Sequence, residues 1–292
     1  MACGLLYQNI INLIVTRRIH NMQIKRTVVR LVAMGSLIPV LSLGAFTGMN
    51  AHAEEERPRA SVDVGILSKY VWRGEELSKD SIVVQPSMTL GYQGVSVNLW
   101  GNLDTDVHDG AYQDKAKWTE TDFTIGYDRS FGLVGLGVGY IYYALDGAID
   151  SQEFYFSIGL DTIATPTLTI YKEVTGALKG WYAKVQVSHS FDLPKEISLD
   201  LAASAGYYYS DNETYVEYTD GLAATAEPLR DFKDGLISVG LTIPIDRYIS
   251  IIPVIAYSFP LTDRADNFIA GSSTKSDHSD FFYGGITLSM SF

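Results

Sequence analysis

Cysteine is all but missing from these 292 residues: Cys3 stands alone, so no disulfide can form within the chain. Histidine is almost as scarce, with five. Acidic side chains are absent from the first 53 positions, which carry Arg17, Arg18, Lys25, Arg26 and Arg30, so all 34 lie beyond Ala53. Past that point no apolar run reaches the ~18 residues of a membrane-crossing helix and no stretch shows 3.6-residue periodicity, which excludes a helical membrane protein.

The acid-free opening has its own organisation. Met22 to Arg30 is a basic region, Leu31 to Phe46 is apolar, and Ala51-His-Ala53 ends in small residues, which is the layout of a Sec-type signal peptide cleaved after Ala53. Gly35, Ser36, Pro39 and Gly44 interrupt the apolar run and argue against a retained anchor. Residues 1–21 precede a complete signal and read as an extension from an upstream start. Removing residues 1–53 leaves 17 of the 22 basic residues against 34 acidic ones, a formal −17. Nucleic-acid binding needs a basic footprint, so such a balance argues against it. Cys3 goes with the leader and leaves no thiol chemistry behind.

What the exported part does contain is alternation with period two, broken by Gly, Asn, Asp and Pro clusters, which is the pattern of β-strands. In the first stretch Val62, Val64, Ile66, Tyr70 and Trp72 share one face, with Asp63, Gly65, Lys69 and Arg73 on the other. Further stretches centre on Val84–Tyr92, Val95–Leu99, Phe123–Tyr127, Val134–Tyr142, Phe154–Leu160, Leu168–Ile170, Trp181–Val187, Ile197–Tyr207, Ile237–Ile243, Ile249–Phe259 and Phe282–Phe292. The expectation is twelve antiparallel strands. Their connections alternate: joints at 93–94, 129–132, 161–166, 192–196 and 244–248 are short, while those at 74–81, 104–117, 144–151, 175–180, 210–232 and 261–280 are mostly longer and more polar. An even strand number with short turns at one end and long loops at the other describes an all-β, antiparallel transmembrane barrel over residues 54–292.

Alternation alone does not separate a membrane barrel from a soluble one. Four features point to the membrane. The stretches are about ten residues long, enough to cross at a tilt. Aromatics gather near stretch ends, at Tyr70, Trp72, Trp118, Tyr142, Tyr143, Trp181, Tyr182 and Tyr207 to Tyr209, where interfacial girdles belong. The opposite face is small and polar, and admits charge. The last stretch alternates through Ile286 and Leu288 to a terminal Phe292, the form of an outer-membrane assembly signal.

The opening stretch carries a more specific pattern: Ser68-Lys-Tyr-Val-Trp-Arg-Gly74, then Ser78, then Gln85-Pro86 leading to Gly91-Tyr92. It resembles the TorF-like porin family of proteobacterial outer-membrane proteins, over roughly residues 62–103. Here Glu75-Glu76-Leu77 separates Gly74 from the following serine, a departure from the family pattern. The resemblance implies porin-like transport and names no solute.

The expected function is therefore passive passage of ions or small solutes. Asp63, Lys69, Arg73, Asp122, Glu153, Glu173, Lys184 and Asp200 are the expected lumen-lining charges, with an acidic excess that favours cations. Inward Trp100, Tyr155, Tyr182 and Tyr208 could instead fill a narrow lumen and leave a plugged structural or surface-interaction barrel. An outer-membrane hydrolase is the weaker alternative. Asp104, Asp106 and His108 share a strand face but lack a second acidic pair, and Ser188-His189-Ser190 puts nucleophile and base on opposite faces. Asp277, His278 and Asp280 match no defined metal spacing. No catalytic residue and no cofactor is expected. The expected partners are outer-membrane lipid and lipopolysaccharide, the barrel-assembly machinery through the strand ending in Phe292, and small solutes.

Overall fold

The structure is a computed structural model, and it describes residues 57–107, 115–176, 179–211, 215–273 and 275–292. The expected signal peptide and upstream extension lie outside these residues. In chain order the strands are β1 (Arg59–Leu67), β2 (Val71–Trp72), β3 (Glu75–Glu76), β4 (Val83–Tyr92), β5 (Val95–Val107), β6 (Lys115–Phe131), β7 (Val134–Leu145) and β8 (Ser151–Leu160). They continue with β9 (Thr167–Thr175), β10 (Gly180–Asp192), β11 (Ser198–Ser210), β12 (Val216–Tyr218), β13 (Ala224–Pro228), β14 (Arg230–Pro244), β15 (Ile249–Pro260) and β16 (Phe281–Ser291). One helix, α1 (Asp263–Ser272), lies between β15 and β16.

Twelve of these strands form one closed barrel in the order β1-β16-β15-β14-β11-β10-β9-β8-β7-β6-β5-β4. Closure is made by the first and last strands, paired antiparallel from Ser61 with Ser291 to Leu67 with Gly285. Each wall strand thereby has a neighbour on both sides and no edge strand is left, the condition for a sheet to cross lipid. The short turns, among them Gln93-Gly94, and both ends of the barrel sheet lie at one end; the insertions that carry β2–β3, β12–β13 and α1 lie at the other.

Burial resolves the ambiguity that alternation left. The apolar face is the outer one: Ile66 (52% exposed), Leu90, Leu99, Ile125, Val138, Val185, Ile237, Ile255 and Leu288 all stand on the outside. The inner face of the short-turn half is small and polar, with Asp63, Ser157, Thr169, Asp200, Ser238, Thr242, Thr287 and Ser289 buried there. A soluble barrel would reverse the two.

Three expectations need correction. The first strand does not run through Arg73: β1 stops at Leu67, and the chain turns inward, so Lys69, Tyr70, Trp72 and Arg73 belong to an insertion and not to the wall. The aromatic girdle is correspondingly thinner. Trp118, Trp181 and Tyr209 are exposed on the outer face, but Tyr70, Tyr143, Tyr182 and Tyr208 are buried inside. Residues 261–280, expected as loop, contain α1, started by Thr262, whose Oγ1 accepts from Ala265 N at 3.1 Å, with Asp263 and Asp266 in the first turn.

The outward side chains carry a direct prediction. Ile237→Arg, which puts a charge on the outer face of a middle strand, destabilises the folded barrel in lipid vesicles by about 2–4 kcal/mol, whereas arginine at inward Gln186 costs much less; urea unfolding in vesicles measures both. At the β14–β15 turn Asp246 accepts from Tyr248 N at 2.7 Å and Ile249 N at 2.8 Å, which holds its carboxyl below the usual aspartate range. A depressed carboxyl stabilises above its unfolded value and loses that contribution as pH falls through the folded one. Asp246→Ala is thus expected to weaken refolding at neutral pH, and its difference from the unaltered chain to fade in acid below about pH 3.9.

Candidate functional site

Twelve strands enclose more room than inward Ser, Thr and Gly can occupy. In the long-loop half that room is filled by the insertion between β1 and β4. Val71 pairs with Glu76 and Trp72 with Glu75 in a two-residue hairpin whose turn is Arg73-Gly74. Both turn residues have positive φ, 47° and 84°, as a hairpin turn of the primed type requires. Glycine is needed at the second place for a further reason: a Cβ on Gly74 would stand 2.7 Å from the Cβ of Asp234 on the wall.

The hairpin satisfies its backbone within itself. Leu77 N donates to Tyr70 O at 2.8 Å and Tyr70 N to Ser78 Oγ at 2.8 Å. Its side chains make the hold on the wall. Arg73 reaches across to β8 and donates both terminal nitrogens to Glu153, at 2.8 and 2.7 Å, with side-chain exposures of 2% and 5%. Its guanidinium stacks within 4.4 Å of the Trp72 ring, 4.7 Å of Tyr171 and 4.3 Å of Tyr182. Tyr143 OH donates to the same Glu153 at 2.9 Å, and Tyr70 OH to Glu120 at 2.9 Å. On the other side Glu75 takes hydrogen bonds from Lys233 Nζ and from Tyr215 OH. Lys69 sits at the hairpin base and bonds Glu76 at 2.5 Å and Asp80 at 3.2 Å.

The seat beneath the guanidinium is a row of tyrosines. Tyr155, Tyr171, Tyr182 and Tyr208 are direct cross-strand partners on β8, β9, β10 and β11, and successive rings of the first three lie about 6 Å apart. They lie flat because glycines leave space: a side chain at Gly206 would collide with the Tyr182 hydroxyl. Tyr215 and Phe268 of α1 meet with tilted rings 4.4 Å apart and, with Leu229 and Ile269, join Val71 of the hairpin in one buried cluster.

Lys233 and Asp234 both point inward although they are neighbours. Between Ala205 and Tyr207 on β11 the partner strand β14 spends one extra residue, a bulge that breaks the alternation. Lys233, fully buried, is thereby aimed at Glu75, and Asp234 accepts from Tyr182 OH at 2.9 Å. Sequence parity could not find this pair, nor Tyr215 and Phe268, which lie outside the wall strands; Glu120 and Tyr171 share the inward parity of Asp122 and Glu173. The visible trace was a Lys-Asp-Gly run directly before an apolar alternation.

Of the charges singled out in the sequence, Asp63, Asp122, Glu153, Glu173 and Asp200 are buried on the inner wall and Lys184 is half-buried there, while Lys69 and Arg73 come from the hairpin. Arg73 and Glu153 meet; Asp63 and Asp200 lie in the short-turn half, where Asp200 accepts from Ser190 and Thr242. A cavity of about 30 Å³, room for one or two waters, lies between Arg73, Lys184, Tyr182 and Asp234. His189 packs against Phe191 at 4.4 Å on the outer face while Ser190 bonds Asp200 on the inner, so that Ser-His pair does not meet. His108 is outside the described residues, and His278 is exposed, 3.9 Å from Asp277. Among the described residues no three or more of His, Cys, Asp and Glu are grouped so as to hold a metal ion.

The fold and this lumen define a closed, twelve-stranded antiparallel barrel of the membrane type with an inserted plug. No family model matches the chain, and no curated protein matches it. Among solved structures it is similar to the NanC porin (9% identity, TM-score 0.47, covering 80% of this chain and 98% of that one) and to an outer-membrane channel from Pseudomonas putida F1 (9%, 0.45, 82% and 97%). It is also similar to an anion-selective porin from Comamonas acidovorans (9%, 0.32, 81% and 99%). Identities this low speak to no residue of the site.

The buried pair predicts a coupling. Glu153→Ala leaves the guanidinium buried without its counter-ion, a loss of about 3–5 kcal/mol for such pairs, and Arg73→Ala together with Glu153→Ala costs less than the two singles added. With Val71→Cys as the only thiol of residues 54–292, maleimide labelling of the folded barrel is expected to be slow in the parent and to accelerate at least tenfold with Glu153→Ala.

Proposed function

We propose that this chain is an outer-membrane channel for passive passage of ions or small solutes, closed in the present conformation by the β2–β3 hairpin. The observation that carries the reading is where the obstruction comes from. The short-turn half of the wall contributes a small, polar, acidic inner face; the long-loop half is filled by an insertion whose backbone bonds are its own and whose grip is made by side chains, packed between the wall tyrosines and the Tyr215–Phe268 cluster. Such a segment can leave its seat without opening the barrel ladder.

The inner wall favours cations. Asp63, Glu120, Asp122, Asp128, Glu153, Glu173, Asp200 and Asp234 face inward against Lys184 and Lys233 of the wall and Arg73 of the plug. In this reading a Sec-type signal cleaved after Ala53 directs export, the short turns face the periplasm, and the strand ending in Phe292 engages the assembly machinery. Membership of the TorF-like porins belongs to the same proposal. The residues that carry the resemblance, Ser68 to Gly74 and Ser78, are those that build and seat the hairpin.

Planar-bilayer recording of refolded residues 54–292 tests it. The parent is expected to stay closed for long intervals with discrete openings. Glu153→Ala is expected to open more often, and deletion of residues 70–80 to conduct continuously with a cation-shifted reversal potential in a salt gradient. A deletion variant that runs as a heat-modifiable folded barrel on gels and yet stays silent would overturn the channel and leave a plugged structural or surface barrel.

A further inference from the structure

The outer surface has a feature that the lumen does not explain. At the long-loop rim, four consecutive strands place outward side chains in one register row: Lys172 on β9 is opposite Trp181 on β10, Trp181 is opposite Tyr209 on β11, and Tyr209 is opposite Arg230 on β14. Lys172 Nζ lies 4.9 Å from the Trp181 ring and Arg230 Cζ 4.4 Å from Tyr209. Phe154, the other partner of Lys172, extends the row with an exposed ring.

We propose that this row is a seat for the phosphorylated headgroup of a membrane lipid. Interfacial Trp and Tyr mark the depth at which headgroups lie. Each cation here stands on an aromatic face at that depth, which orients it along the surface instead of out into water. Three strand spacings of about 4.8 Å separate Lys172 from Arg230, roughly 14 Å, a span that suits one headgroup with two phosphates or two adjacent lipids. Lys172 shares its charge with Asp211. Arg230 donates Nε to Ser210 O at 3.3 Å and is exposed, and a planar guanidinium fork matches a phosphate. At two other places on that rim the outward tyrosine bonds a carboxylate instead, Tyr142 with Asp150 and Tyr257 with Asp280, which disfavours a phosphate there. In a chain this acidic, charge complementarity selects β9 to β14.

The inference rests on the membrane-barrel reading but not on conduction, because the row is outside the lumen. Native mass spectrometry of the detergent-folded barrel, titrated with phosphatidylglycerol and with phosphatidylcholine, tests it. The parent is expected to retain phosphatidylglycerol at least about tenfold better, and Lys172→Ala with Arg230→Ala to abolish that preference. Lys195→Ala, in the exposed β10–β11 turn at the short-turn rim, is expected to leave it unchanged, and inorganic phosphate at millimolar concentration not to displace the lipid. Equal retention of the two lipids, a preference that survives the double substitution, or displacement by free phosphate would overturn the proposal. Heat-modifiability on gels reports the barrel itself, so loss of the lipid preference with the folded band intact speaks to the row alone.

Discussion

Pairing of the first strand with the last is the constraint from which the rest follows. Once Ser61 to Leu67 of β1 are bonded to Gly285 to Ser291 of β16, every wall strand has two neighbours, and the sheet can face lipid because no edge strand is left over. Closure at twelve strands also sets an interior wider than side chains from the wall can fill. The wall makes that gap larger still, since Ser, Thr and Gly dominate its inner face. A void of that kind has to be solvated or stoppered. Here the two halves divide the solutions, polar wall toward the short turns and inserted hairpin toward the long loops.

How the stopper is held explains its composition. An apolar plug would bury well and stay put, as a domain core does. This one brings an arginine and two glutamates into the barrel, and each must find a partner there: Glu153 for Arg73, Lys233 and Tyr215 for Glu75, Lys69 for Glu76. A buried ion pair gives little net stability, because desolvation offsets most of the attraction, but it strongly disfavours any misplaced arrangement that leaves one member alone. The hairpin therefore has one register in which all its charges are met. The bulge on β14 serves the same end, since only a broken alternation lets Lys233 and Asp234 face the lumen side by side.

Much of the barrel was legible in the sequence because its physics is local. Alternation survives through most of the wall, turn residues mark the short joints, and the loop-length asymmetry follows from the topology. What was not legible depends on leaving the strand. Lys69 to Arg73 continue the alternation of β1 so well that parity extends the strand through them, yet the chain turns away after Leu67. Arg73-Gly74 is a primed-turn pair, and that chemistry outweighs the alternation. Tyr182 and Tyr208 sit near strand ends like girdle residues, but their parity with Lys184 and Asp200 places them inside. Helix α1 had readable capping chemistry in Thr262, Asp263 and Asp266, hidden only by the expectation that everything between strands is loop.

The two faces of the wall thus use aromatic rings and cations in the same combination for different ends. Inside, Arg73 is stacked on Tyr171 and Tyr182 and completed by a carboxylate, so the group is neutralised and the ring contact fixes its position. Outside, Arg230 is stacked on Tyr209 with a backbone carbonyl as partner, so the ring orients a charge that is still available. Neutralised and seated, the first holds a segment of the chain itself; oriented and exposed, the second suits an anion from the surroundings. The difference lies not in the cation–π contact, which is alike at 4.3 and 4.4 Å, but in whether the wall supplies the counter-charge.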